Sequence, residues 1–300
     1  MKWKTPEKRE YYSKYEQVPL KNGAGWFECY RLPHDVYCIC EPQHLQEVNA
    51  FLILGEERAL LLDTGMGIGD IKAVVDELYD GELTVVNCHF HFDHTGGNWQ
   101  FDKVLAADDE FVRKTAARGL AGAPLANQAS LDMFLFDYPQ GFVPTEYQTR
   151  PYNVDFVQDG HLFELGGREI EFVRTPGHTA DHAMLYDRTN DILFSGDMVY
   201  GGAIYVQFDS EYLGRSDIVK YIESLEMIRK RYPHIKAVYA SHNDIIVPPE
   251  RIDIIHDALA AVRDGKVQGL PLHDAKYGYY GDPMTLMEYK FDGFSIIARN

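Results

Sequence analysis

His89-Phe90-His91-Phe92-Asp93-His94 follows directly on the apolar stretch Leu83-Thr84-Val85-Val86-Asn87-Cys88. Four side chains able to ligate a metal fall within six positions. Burying four such polar groups together is costly unless a cation or an equivalent partner compensates them. Read as the end of a strand, the two-residue spacing puts His89 and His91 on one side and Cys88, a small buried residue, on the other. Asp93 and His94 follow as the chain turns through Thr95-Gly96-Gly97.

Further polar clusters follow apolar runs elsewhere in the chain. Upstream, Arg58 to Leu62 reads as a buried strand ending in Asp63-Thr64-Gly65, and residues 69–80 as a helix with Ile71, Val74, Val75 and Leu78 at helical spacing. Downstream, the strand at 169–174 ends in Thr175-Pro176-Gly177-His178-Thr179. Residues 191–194 end in Ser195-Gly196-Asp197, and 236–240 end in Ser241-His242. Residues 36–40, 49–54 and 161–164 also read as strands. Residues 216–232 read as an amphipathic helix, and Pro248-Pro249 opens a last helix through about Val262. The carboxyl end, 287–298, alternates as a closing edge strand.

Three hundred residues, 45% hydrophobic and 25% charged, have the balance of an ordinary globular chain. The pattern is read as a single domain over 1–300. Residues 1–35 form an amino-terminal arm, 109–160 a helical insertion that either is structural or serves as a lid, and 265–300 a tail. The net charge of -17 argues against a nucleic-acid or anionic-membrane partner, because both require a basic face. No run approaches the roughly 20 apolar residues of a membrane span, and residues 1–17 lack the apolar core of a secretion signal. Cys29, Cys38, Cys40 and Cys88 are read as reduced thiols of a cytoplasmic protein. Cys38 and Cys40 are read as two side chains on one strand face. A small-molecule substrate and a homodimer are the working expectations.

His89-x-His91-x-Asp93-His94, Pro176-Gly177-His178-Thr179, Ser195-Gly196-Asp197 and Ser241-His242, in that order and preceded by Leu62-Asp63-Thr64-Gly65, resemble the metallo-β-lactamase superfamily of metal-dependent hydrolases over roughly residues 36–262. The resemblance implies an α/β fold of the αββα sandwich type, with the lactonase and glyoxalase-II-like branches in view. It implies that His89, His91 and His178 hold one metal, that Asp93, His94 and His242 hold a second, and that Asp197 bridges them. Asp63 would orient a ligand imidazole. Imidazole and carboxylate ligands suit two divalent ions, zinc first, with iron or manganese as alternatives. The implied reaction is hydrolysis of a small ester, lactone or thioester by a metal-bridging hydroxide, with Asp93 carrying a proton to the leaving group. No Cys occupies an expected ligand position, which departs from the β-lactamase branch that uses one.

Tyr200, three residues after Asp197, resembles the tyrosine that faces the substrate carbonyl in lactonases of this superfamily. The packing alternative is that it is one of 20 tyrosines. His182 is read as supporting the ligands, and His34, His44, His161, His234, His256 and His273 as non-ligands. A second functional class, an oxidoreductase like the persulfide dioxygenases, would use one iron held by His89, His178 and Asp197.

Overall fold

The computed structural model describes residues 9–23, 25–272 and 286–299. The chain divides into two compact units: one runs through Val157 and adds Glu164–Glu169, the other comprises Gln158–Phe163 and the chain from Ile170 onward.

The first unit is built on an eight-stranded sheet. Glu16–Val18, Glu28–Leu32, Val36–Cys40, Asn49–Leu54 and Arg58–Leu62 pair antiparallel in sequence order, as short connections dictate. Arg58–Leu62, Glu82–Val86, Val104–Ala107 and Val154–Val157 then pair parallel. A parallel pairing needs a crossover, and the Ile71–Leu78 helix supplies the first. That helix is capped by Asp70, whose carboxylate accepts from Ala73 N. It buries Ile71, Val74 and Val75 against Leu52, Leu61 and Val85. Residues expected in an amino-terminal arm thus include two strands of this sheet, one of them its edge. Cys38 and Cys40 are both buried, and so is Ile39 between them, so this strand is covered on both faces. All four cysteines are free thiols.

The expected insertion at 109–160 is only partly helical. It holds the Glu110–Arg118 helix, a single helical turn at Ala123–Ala126 and two 3-10 turns, and it closes in the Val154–Val157 strand of the main sheet.

The second unit carries a six-stranded sheet in the order Leu162–Glu164, Glu169–Arg174, Ala183–Asp187, Ile192–Phe194, Ala237–Tyr239, Ile246–Val247. The parallel pair Ile192–Phe194 with Ala237–Tyr239 is joined through the Ile218–Arg231 helix. A four-stranded sheet of Gly202–Val206, Phe294–Arg299, Leu286–Phe291 and Leu270–Leu272 completes the unit. The carboxyl end is therefore a hairpin rather than one strand. Tyr221, Leu225 and Ile228 of the first helix and Ile255 and Leu259 of the Glu250–Arg263 helix share a core with Ile204 and Ile296. Among the described residues no helix is long and apolar enough to cross a membrane.

Candidate metal centre

In the first unit, strand register brings the polar groups together. Leu62 pairs with Val86 in the parallel ladder, and Asp63 N donates to Val86 O at 2.9 Å. Asp63 and the histidine run therefore leave the carboxyl ends of adjacent parallel strands, where α/β sheets build their sites. Asp63 Oδ1 accepts from Cys88 N at 2.8 Å, and its Oδ2 lies 2.8 Å from His94 Nδ1. The strand ends at Val86, and His91 begins a short helix, Phe92–Thr95. Strand alternation thus stops before the histidines, which corrects the expected placement of Cys88. Its Sγ lies 2.9 Å from Asp63 Oδ2 and 3.1 Å from His89 Nδ1, on the side of the imidazoles. A thiol is thus present among the polar groups, and Asp63, Cys88 and His94 lie close enough to hold a cation. The His89 ring centroid stands 4.5 Å from that of His91 and 4.3 Å from that of His94. Asp93 Oδ2 is 3.9 Å from His94 Nε2. All four ligand candidates of the run are buried.

The loop after Asp63 is tightly folded. Asp63, Gly65 and Gly67 all have positive φ. A Cβ on Gly67 would stand 2.2 Å from Gly96 O, so two glycines let this loop lie against the histidine loop. Thr64 Oγ1 and Asn87 Nδ2 both bond His94 O, and both meet Asn98. Glu41 is buried beneath the loop, accepting from Trp26 Nε1 at 2.7 Å and from Met66 N at 2.9 Å. Burial outweighs those two donors and raises its carboxyl to about 7. Nothing in the sequence singles out Glu41, because its neighbours arrive from three distant segments.

The insertion is fixed to this unit at several points. Leu45 N donates to Met133 O and Leu135 N to Gln43 O, both at 2.8 Å. His44 Nε2 meets Gln128 O at 3.0 Å, and burial holds the His44 imidazole down to about 4, so it stays neutral. Tyr147 OH donates to Met66 O at 2.9 Å.

The second unit supplies its own set. Phe194 pairs with Tyr239 in the parallel ladder, which brings Asp197 and His242 to neighbouring strand ends. His178 follows Glu169–Arg174, which runs in the same direction two strands away. His178 Nε2 is 3.4 Å from Asp197 Oδ2, and His242 Nε2 is 3.1 Å from Asp197 Oδ1. His178 Nδ1 donates to Tyr205 O at 3.0 Å, a bond that leaves Nε2 as the ring's electron-pair donor. His182, expected as a supporting residue, accepts from Asp197 N through Nε2 at 3.1 Å, and its Nδ1 meets Thr175 Oγ1 at 2.9 Å. Tyr221 OH donates to both Asp197 O and Met198 O at 2.9 Å. The Tyr200 hydroxyl donates to Ala203 O at 2.5 Å, and its ring stands 5.3 Å from that of His242. His256 lies in the last helix against Glu226 and Asp257, in keeping with a non-ligand. His273 and the tyrosines at 277, 279 and 280 lie outside the described residues.

The donor chemistry fits divalent metal ions. His94 is tied through Nδ1 to a carboxylate and His178 to a backbone carbonyl, and each presents Nε2 near a further carboxylate, Asp93 at 3.9 Å and Asp197 at 3.4 Å respectively. This is the arrangement that orients metal-bound imidazoles.

The chain matches the Metallo-beta-lactamase superfamily over residues 45–242 and belongs to it. It has that superfamily's α/β sandwich fold. A metallo-beta-lactamase family protein from Thermus thermophilus superposes with a TM-score of 0.55 at 23% identity, covering 78% of this chain and 81% of that one. Among curated relatives, human acyl-coenzyme A thioesterase MBLAC2 is 30% identical over 199 residues, 60% of this chain, and its bovine counterpart 28% over 193. The chain spans 66% of the length of each of these two. A beta-lactamase-like protein 2 homolog of Drosophila melanogaster is 27% identical over 226 residues, covering 70% of this chain and 64% of its own length.

Proposed function

We propose that the chain is a hydrolase that uses two divalent metal ions, zinc first among them, to cleave a small thioester. His89, His91 and His178 would take one ion and Asp93, His94 and His242 the other, with Asp197 binding both. The observation that carries this reading is the Nδ1 tethering of His94 and His178, which commits both rings to ligation through Nε2. The thioester is preferred to an ester or lactone because the bovine and human relatives are named acyl-coenzyme A thioesterases. The lactonase and glyoxalase-II-like branches share the same ligand pattern.

Metal ions of this kind polarise a carbonyl and supply ionised water at neutral pH. The protein's part is positioning and proton transfer. Asp63 holds His94, Tyr205 O holds His178, and His182 with Tyr221 fixes the Asp197 backbone on both of its polar groups. Water adds to the thioester carbonyl carbon, the C–S bond breaks, and Asp93 carries a proton to the departing sulfur. Tyr200 reaches a developing oxyanion only by giving up Ala203 O, so its contribution is the packing of its ring beside His242. The proposal extends to a small neutral or locally steered substrate and a cytoplasmic setting, in keeping with the net charge and the free thiols, and to a homodimer.

Turnover of a panel of acyl-coenzyme A thioesters, esters and lactones, with and without chelator, tests the proposal alongside metal analysis. The expected result is chelator-sensitive thioester cleavage with two metals per chain. Asp197→Ala should lower kcat/KM by at least about a hundredfold, whereas Tyr200→Phe should stay within about threefold. Absence of chelator-sensitive turnover on every member would refute it. A single iron with oxygen uptake would replace it by a dioxygenase.

A further inference from the structure

Met66 has both of its backbone polar groups taken by side chains from outside its own loop. Glu41 Oε2 accepts from Met66 N, and Tyr147 OH donates to Met66 O. The two grips are linked by a closed ring of contacts. Trp26 Nε1 donates to the other oxygen of Glu41. The Trp26 ring meets Phe134 at 5.9 Å between centroids, Phe134 meets Phe142 at 5.4 Å, and Phe142 meets Tyr147 at 5.6 Å. The ring thus passes from Glu41 through the insertion and back to the residue whose N–H Glu41 holds. The loop it holds carries Asp63, a non-glycine residue, at φ 64. A Cβ on Gly65 would meet Glu41 Oε2 at 2.7 Å, so the acid lies directly against the loop.

We infer that residues 128–147 are a fixed wall of the candidate site rather than a lid, and that Tyr147 and Glu41 are positioning residues acting on the metal ligands through Met66. The chain of action is short. Met66 lies three residues after Asp63, and Asp63 is the group that orients His94 and bonds Cys88 N. Releasing Met66 frees the loop to relax its left-handed residues, and Asp63 then loses its angle toward His94. Through Tyr147, the insertion sets how firmly the His94 side holds its ion. This inference rests on the proposed metal ligation by His94.

The test is metal affinity, read by competition of the loaded protein with a chromophoric chelator. Tyr147→Phe keeps the ring and removes the hydroxyl; it should weaken the ion on the His94 side about fivefold, as the loss of one buried hydrogen bond predicts. Glu41→Asp withdraws the carboxylate from Met66 N and should weaken it similarly, giving the same reading should Tyr147→Phe fail to fold. Phe142→Leu disturbs the aromatic ring without touching Met66; it should lower Tm while leaving affinity within about twofold. Unchanged affinity in both positioning variants, or an equal loss in Phe142→Leu, overturns the inference. A wild-type chain that binds no divalent metal defeats the proposed function instead, so the two failures are distinguishable.

Discussion

Glu41 shows how a single residue can conflict with its surroundings and still belong there. Its carboxyl rises to about 7 because burial disfavours the charge more than the Trp26 and Met66 donors favour it, with Asp93 adding repulsion. In the unfolded chain the same group titrates near 4.5. Between these values the folded state binds the extra proton, so stability falls as pH rises from about 4.5 to about 7 and is flat above. Glu41→Gln keeps an acceptor for Met66 N but faces Trp26 Nε1 with an amide N–H. It should therefore cost about 1 kcal/mol at pH 4.5 and regain roughly 2–3 kcal/mol relative to wild type by pH 7.5. Denaturant titrations of the metal-free proteins across that range check this. Parallel curves for the two proteins would show that Glu41 ionises normally. Cys88 makes the complementary point, because strand alternation is a rule about strands and the strand has already ended at Val86.

At the scale of elements, the candidate site depends on where parallel strands stop. Register pairs Leu62 with Val86 and Phe194 with Tyr239, so segments far apart in sequence end side by side. The loop carrying His178 is set by packing as well as register. Gly177 lies so close to the Ile218–Arg231 helix that an added Cβ would stand 2.4 Å from Tyr221 Cα. Asp217 N, at the cap of that helix, donates to Gly177 O at 2.8 Å. Gly177→Ala must therefore push loop and helix apart. It should destabilise by about 1–3 kcal/mol and displace His178, giving a lowered Tm together with weakened metal binding. A variant with wild-type Tm and metal affinity would show that the helix yields freely. The longer helices, the strands that precede the polar clusters and the histidine-bearing turns are legible because apolar periodicity and capping act locally, whereas Val104–Ala107, Val154–Val157, Ala183–Asp187 and Gly202–Val206 carry no such cluster and are not. The amino-terminal strands are not either, because Glu16–Val18 and Glu28–Leu32 owe their conformation to the strands they pair with.

At the scale of the whole molecule, metal ligation and folding should be linked. A group of buried imidazoles and carboxylates repels itself less when cations occupy it, and anything that binds the folded state alone stabilises it by mass action. With metal at about a hundredfold over its dissociation constant the gain is about 2.7 kcal/mol, which corresponds to roughly 4 °C in Tm for a chain of this size. Chelation should therefore lower Tm by that amount, and added zinc should restore it. A Tm indifferent to chelator would mean that the donors are satisfied among themselves. The sequence by itself determined the order of the polar clusters and the apolar runs before them, and with that order the superfamily and the candidate ligands, because ligand chemistry resides in side-chain type. Only the tertiary structure decided that Cys88 lies beside His89, that Tyr205 O and His182 support His178 and Asp197, and that Tyr147 reaches Met66. Those contacts use backbone groups that every residue carries, or join segments tens of residues apart, so no local pattern encodes them.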